Sequence, residues 1–383
     1  MIPTTRPFLD SGDIKILKKV ITSKILVDGT YQEKIEKIIK RKINSKFLAV
    51  TQSCTAAIEI STILLNLKKD DEVIIPSYNF VSAANAIVLR GARPVFVDID
   101  SRTLNIKADE IEKAITKKTK AIIIVHYAGN SCQIDEILKI KKKYKLILIE
   151  DCAHSLFAKY KNKYLGTIGD IGVFSFHETK NLVSAQGGAI SINNKKYIKR
   201  TNYILDKGTN RKNVINNKYK IVNEKNNKKF YSWVDVGSEY RLDELRCALL
   251  YNQIKKANYI KKKRKKLYFN YCKVFQKYKN KNFFSIIKIP KNSKSSYHLM
   301  IMIFKNEILA KKFRIFMQSK KIAATFHYVP LHLSKMGKKF CKIKIKNTEK
   351  IYKNVIRMPF YTDMNMKNFF FIKKNIHDFF KNY

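Results

Sequence analysis

Leu146-Ile147-Leu148-Ile149-Glu150-Asp151-Cys152-Ala153-His154-Ser155 sets a short, uninterrupted apolar run directly ahead of two acids. A run this short with no polar break reads as a strand buried on both faces, the kind found in parallel sheets. In such sheets ligands sit beyond the strand C-termini, so Asp151 is the first candidate site residue. A carboxylate at the end of a buried strand must be paired, because an isolated buried charge is costly. An ion pair with a local lysine satisfies that requirement as well as a functional role does.

Outward from this stretch the pattern repeats. Phe47 to Thr51, Glu72 to Ile75, Pro94 to Asp98, Ala121 to His126, Gly172 to Phe176 and Gly188 to Ile192 read as further strands. Apolar residues at helical spacing fill Ser53 to Leu67, Asn79 to Arg90, Ala108 to Ile115 and Cys132 to Tyr144 between them. This alternation predicts an α/β fold with a mostly parallel central sheet and helices on both faces. Asn210 to Lys229 is polar and predicts an exposed excursion, and Arg241 to Tyr278 predicts one or two long helices. The segments Tyr297 to Phe304, Glu307 to Ser319 and Ala323 to Tyr328 predict a smaller α+β C-terminal domain.

Composition narrows the function classes. Of 78 basic residues 12 are Arg, which leaves 66 Lys spread along the whole 383-residue chain. A base-reading or phosphate-clamping surface favours the bidentate fork of Arg, so the net charge of +48 reads as a solvated Lys-rich surface. No nucleic-acid partner is expected. No stretch has the roughly 18 apolar residues of a membrane span, and the N-terminus lacks a basic head with an apolar core, so no membrane partner is expected either. Six scattered cysteines form no Cys-x-x-Cys pair, which argues against a zinc site or a disulfide framework and for a reduced, cytoplasmic setting.

Three more candidate positions follow strands. Ser53-Cys54-Thr55 opens a helix, where free N–H groups and the positive dipole end make a phosphate seat; a plain N-cap uses the same residues. Lys180, in Ser175-Phe176-His177-Glu178-Thr179-Lys180-Asn181, leaves a buried strand, and a lysine there loses its proton readily and forms a Schiff base. Gln186-Gly187-Gly188 follows, with glycines that allow close backbone approach to a ligand. Phe80 heads a helix and is placed either to stack on a planar group or to fill core.

Seven stretches together carry a resemblance to a known family. They are Pro-Ser-Tyr-Asn-Phe-Val-Ser (76–82), Leu-Arg-Gly-Ala (89–92), His-Tyr-Ala-Gly (126–129), Gly-Thr-Ile-Gly (166–169), Phe-Ser-Phe-His-Glu-Thr-Lys-Asn (174–181), Lys-Gly-Thr-Asn-Arg (207–211) and Phe-His-Tyr-Val-Pro-Leu-His (326–332). The chain resembles the DegT/DnrJ/EryC1/StrS sugar aminotransferases, and within them the dTDP-4-amino-4,6-dideoxygalactose transaminases of enterobacterial common antigen synthesis. Ser-Cys-Thr-Ala (53–56) points to that subgroup. The resemblance implies a fold-type-I, pyridoxal-phosphate-dependent transferase with a large domain over 1–240 and a small one over 241–383. It implies that Lys180 carries the cofactor and Asp151 partners its pyridine nitrogen. It further implies that His154 contacts the ring hydroxyl, Phe80 stacks on the ring, and Ser175, Cys54 and Thr55 hold the phosphate. Homodimers with shared active sites are implied, with Arg241 reaching the other subunit's phosphate; the pattern around it, Gly237-Ser238-Glu239-Tyr240-Arg241, meets the family's only in part. His327 and Tyr328 are expected near the nucleotide-linked sugar, L-glutamate is the expected amino donor, and no metal is expected. Gln186 departs from the family pattern, where a glutamate stands. Lys180 is kept, and relatives with histidine in its place are dehydratases.

Overall fold

The computed structural model describes residues 1–211 and 231–381. The excursion expected at Asn210 to Lys229 lies outside them apart from Asn210 and Arg211. Two helices that the apolar spacing left unread, α1 (Ser11–Ser23) and α2 (Thr30–Ile43), open the chain. Asp10 and Asp13 form a reciprocal capping box on α1, and the last turn of α2 carries Lys40, Arg41 and Lys42 against its negative dipole end.

The α/β unit then runs β1 (Phe47–Thr51), α3 (Cys54–Leu64), β2 (Glu72–Pro76), α4 (Ser82–Val88), β3 (Arg93–Val97), α5 (Ala108–Lys113), β4 (Thr119–Val125), α6 (Ile134–Lys143), β5 (Ile147–Asp151), β6 (Ile171–Ser175), β7 (Gly188–Ile192) and α7 (Ile198–Leu205). The strands form one seven-stranded sheet in the order β1-β7-β6-β5-β4-β2-β3. Pairings from β3 through β6 are parallel, and β7 runs antiparallel to both β6 and β1. Alternate residues explain the unbroken apolar runs. Ile122, Ile124 and Leu148 enter the core on one face, while Ala121, Ile123 and Ile149 enter the core on the other.

α8 (Glu244–Lys255) and α9 (Ala257–Gln276) lead from the first unit into a second, which contributes β8 (Phe284–Ile286), β9 (Ile301–Phe304), α10 (Glu307–Ser319), α11 (Lys346–Ile351), β10 (Val355–Arg357) and α12 (Met366–Lys381). Its antiparallel sheet, β8-β9-β10, backs onto an aromatic core with Tyr271, Phe313 and Phe380. Hydrophobic packing keeps Leu242, Cys247, Leu250 and Ile260 with the first unit, whereas Leu267 and the apolar residues after it on α9 enter the second core, which also holds Ile2. The changeover in packing thus falls inside α9, beyond residue 240.

Two expected elements differ. The helix expected from Asn79 starts only at Ser82, because Ser77 and Asn79 are held in a turn by Ser77 N–H to Val97 O and Asn79 N–H to Ser77 O. Ala323 to Tyr328, expected as a short strand or helix, is neither: Thr325 makes an isolated bridge to Arg357, and the chain then crosses to Leu331, whose N–H bonds Ser77 O at 2.9 Å. His332, the last residue of that motif, hydrogen-bonds Ser77 and Glu349 and so fastens the crossing segment to the large sheet.

Candidate active site

The strand ends of β5, β6 and β7, the N-terminus of α3 and the crossing segment enclose a cavity of about 500 Å³. Its wall includes Cys54, Thr55, Phe80, Asp151, His154, Ser175, Lys180, His327 and Tyr328. Nine of the ten site residues named from sequence therefore meet in one place.

At the α3 end, Ser53 caps the helix through Ala56 N–H (3.0 Å), and Thr55 Oγ1 lies 2.7 Å from Ser82 Oγ. Gly188 makes this seat possible. It pairs with Thr51 and Ser175, and a Cβ there would lie 2.4 Å from Cys54 N and from Ser53 C. Any side chain at 188 would push the helix N-terminus away from the cavity floor.

Asp151 and Glu150 diverge because successive strand residues face opposite sides. Glu150 is fully buried and accepts N–H groups from Gly166, Ile168 and Gly169, which locks the Gly-Thr-Ile-Gly turn. His126 Nδ1 accepts from Cys132 N–H, so its Nε2–H donates to Glu150 at 3.0 Å. With Cys152 these residues cluster as metal ligands would, but the histidine nitrogens and the carboxylate oxygens are already engaged in holding the turn.

Asp151 points into the cavity. Burial raises its carboxyl above the usual range, and among the described residues its single hydrogen bond comes from Ala153 N–H to Oδ1 at 2.9 Å. One carboxylate oxygen is left for a cationic partner in the cavity. Burial lowers the Lys180 ammonium from 10.5 to about 8, opposed by Cys54 and Asp151. Asp151 and Lys180 are close enough for each to shift the other.

Histidines line the opposite wall. His154 Nδ1 accepts from Ala128 N–H at 3.3 Å, and burial pushes its pKa well below 6.5, so neutral Nε2–H is the group free to donate. Its ring packs 4.4 Å from that of His298. Burial lowers His327 to about 2, and its Nδ1 lies 2.8 Å from Tyr127 Oη. Phe80 is 58% exposed at the rim, its ring 6.3 Å from Tyr328. It is rim rather than core.

Arg241 is the exception. Its backbone bridges Thr51 beside the α3 seat, yet its side chain is absent from the wall, and Nη2 is buried with no hydrogen-bond partner. Sequence reading also passed over Asn79, Ser82, His298 and Arg357, all on the wall. Asn79 and Ser82 stand in the 76–82 motif, which was a usable signal; His298 and Arg357 stand in none of the matched stretches.

The arrangement fits a planar phosphorylated pyridine aldehyde. A helix N-terminus with hydroxyls suits the phosphate, an open carboxylate oxygen suits a protonated ring nitrogen, and a desolvated lysine suits the aldehyde.

Comparison with known proteins agrees. The DegT/DnrJ/EryC1/StrS aminotransferase family matches residues 7–374. The chain is similar to the uncharacterised protein MJ1066 of Methanocaldococcus jannaschii, at 35% identity over 95% of this chain and 93% of the relative. It is similar to the UDP-4-amino-4,6-dideoxy-N-acetyl-beta-L-altrosamine transaminase of Campylobacter jejuni strain 81-176, at 30% identity over 98% and 96%. Helicobacter pylori PseC, an aminotransferase involved in the biosynthesis of pseudoaminic acid, superposes with a TM-score of 0.89 at 26% identity, covering 100% of both chains. This chain belongs to the DegT/DnrJ/EryC1/StrS aminotransferase family, whose cofactor is pyridoxal 5′-phosphate.

Proposed function

We propose that the chain moves the amino group of L-glutamate to C4 of dTDP-4-dehydro-6-deoxy-D-glucose, giving dTDP-4-amino-4,6-dideoxy-D-galactose. The observation that carries the transamination is the placement of Lys180 and Asp151 on one cavity wall with the α3 N-terminus. The dTDP-linked sugar rests on the motif resemblance, including Ser-Cys-Thr-Ala at 53–56.

When bound, the cofactor supplies an electron sink for the bond breaking at the donor's α-carbon. Asp151 holds the proton on the ring nitrogen. Lys180 moves the proton between the donor's α-carbon and the cofactor. With its pKa near 8, about a tenth of the free amine is neutral at pH 7, against well under a thousandth for an exposed lysine. His154 Nε2–H donates to the ring hydroxyl, Ser175, Cys54 and Thr55 hold the phosphate, and Phe80 stacks. His327 and Tyr328 bound the sugar, and their segment is pinned at Leu331 and His332. Two subunits complete each site, with Arg241 serving the partner's phosphate. Exposed apolar groups such as Trp233 (80%) and Val236 (55%) support that association.

A second reading has a specific support: the 30% identical Campylobacter relative is named for a UDP-linked 4-amino sugar. The same cavity chemistry then serves a UDP-linked 4-keto-6-deoxy-sugar. A spectral titration separates the two. The visible absorbance of the lysine-bound cofactor should fall with L-glutamate and return with the dTDP-linked keto-sugar. Return only with the UDP-linked sugar selects the second reading. No response to glutamate, or turnover by Lys180→Ala, removes the proposed chemistry.

A further inference from the structure

Asn181, the residue after Lys180, stands between two cavities. Its Nδ2 donates to Ser296 O at 2.9 Å, and its Oδ1 accepts from His298 Nδ1 at 2.9 Å. His298 lines the cavity of Lys180 and Asp151, whereas Asn181 and Ser296 line a second one of about 200 Å³. Four lysines converge on that second cavity. Lys42 comes from the last turn of α2, Lys159 from the hairpin over residues 159–164, Lys261 from α9, and Lys294 from the segment paired with the hairpin. No acidic side chain lines it.

A Lys-rich surface alone does not produce this arrangement, because three of the four side chains are half-buried rather than dispersed into water. Lys159 stands directly opposite Lys294 in the antiparallel ladder, and like charges in that position weaken strand pairing. Burial lowers the Lys261 ammonium, and the charges of Lys159, Lys42, Lys265 and Lys294 push it the same way. Acids are used elsewhere in the neighbourhood: Lys161, at the tip of the same hairpin, pairs with Asp135 at 2.8 Å. Lys42 and Lys159 instead lie over the rings of Phe157 and Tyr164, at 4.1 and 4.2 Å from their centres, and Lys261 donates to Phe157 O at 3.3 Å. A ring face makes a single lysine tolerable, at about 0.5–1 kcal/mol, but supplies no negative charge for four.

We propose that this second cavity binds a diphosphate group. Four ammoniums around so small a space match an anion of several charges, and a lysine serves phosphate oxygens as a point charge. The two rings on the wall already have ammoniums over them, so a nucleobase finds no platform to stack on, and the charged group is the part recognised. The diphosphate is either free or the arm of a nucleotide whose base lies outside. The assignment does not depend on the reaction proposed for Lys180, since Asn181 separates the two spaces.

The test is calorimetric titration of cofactor-loaded protein with pyrophosphate at physiological salt, where loose surface attraction is screened within about 8 Å. The double variants Lys42→Gln/Lys261→Gln and Lys159→Gln/Lys294→Gln are each expected to bind at least about tenfold more weakly. The control Lys338→Gln/Lys339→Gln removes two exposed lysines that line neither cavity, and its affinity is expected to stay within about twofold. Without pyrophosphate, Lys159→Gln/Lys294→Gln is expected to melt no lower than wild type because a repulsion is gone, which separates lost binding from lost folding. Pyrophosphate is expected to raise the melting temperature of wild type and to leave that of the site variants nearly unchanged. Titration with dTDP and UDP identifies the source: affinity above that of pyrophosphate, and lost in the site variants, assigns the group to a nucleotide, and otherwise it is free diphosphate. Wild-type protein that ignores pyrophosphate, site variants that bind it as wild type does, or a control that loses as much as they do would each overturn the proposal.

Discussion

Replacing Lys180 by methionine is expected to stabilise the cofactor-free protein at neutral pH, although it removes the group on which the proposed turnover depends. Burial lowers this amine from 10.5 to about 8. The folded state therefore binds fewer protons than the unfolded chain between pH 8 and 10.5, and stability rises with pH across that window. Below pH 8 the full penalty is present. At about 1.4 kcal/mol per tenfold, the drop corresponds to roughly 3 kcal/mol. Part of the side chain opens to the cavity, and screening there reduces the figure to about 2 kcal/mol. Methionine has nearly the same shape and no charge to desolvate. Urea unfolding of the cofactor-free wild type and Lys180→Met at pH 7 and pH 10.5 is the assay. Lys180→Met should be more stable by about 2 kcal/mol at pH 7, with the gap closing by pH 10.5. A less stable variant at pH 7, or a gap indifferent to pH, would refute the argument that the site holds a desolvated amine.

Three further outcomes follow from the geometry. Gly188→Ala is expected to weaken cofactor binding by tenfold or more, measured by equilibrium dialysis, because its Cβ would displace the α3 N-terminus; unchanged affinity would contradict the cradle. Asp151→Asn should keep the cofactor and lose on the order of 10²-fold or more in kcat, because an amide does not hold the ring proton; near-normal turnover would remove its assigned role. Asp98 accepts N–H from Asn347 and Thr348 and the Thr348 hydroxyl, tying α11 to the large sheet. Asp98→Ala is expected to cost about 2–3 kcal/mol in unfolding experiments with little change in the cofactor spectrum, and a neutral effect would show that this tie is dispensable.

The large sheet was legible because its strands are buried on both faces. Phe47 to Thr51 and Gly188 to Ile192 have the same bounds in sequence and structure. The reversed direction of β7 was not legible, since an apolar run carries no sign of which way it points. Site residues that follow strands, Asp151 and Lys180, could be read from position alone. Their counterparts on the facing wall could not. His298 and Arg357 enter from a different unit, and what brings them to Lys180 is the packing of β9 and β10, which no local pattern in either segment announces. Asn79 shows the intermediate case: its motif marked it, but helical spacing assigned it to a helix when the structure holds it in a turn.

Lysine is the commonest basic residue in this chain, with 66 copies, yet among the described residues Lys180 is the one lysine that lines the active-site cavity. The contrast has a physical cause. A lysine on the surface keeps its ammonium hydrated or over the face of an aromatic ring, as Lys159 Nζ lies 4.2 Å from the centre of the Tyr164 ring, so a compositional drift toward lysine is tolerated there. Inside the active-site cavity each added ammonium would lose its water, repel Lys180 and Arg357, and compete with the ring nitrogen of the cofactor for Asp151. Drift is therefore confined to positions where water can pay the charge, and among the described residues the wall carries two such cations, Lys180 and Arg357. The charge that dominates the composition and the charge that does the chemistry are separated by burial, which is why position 180 stands out from its neighbours in structure when it scarcely does in composition.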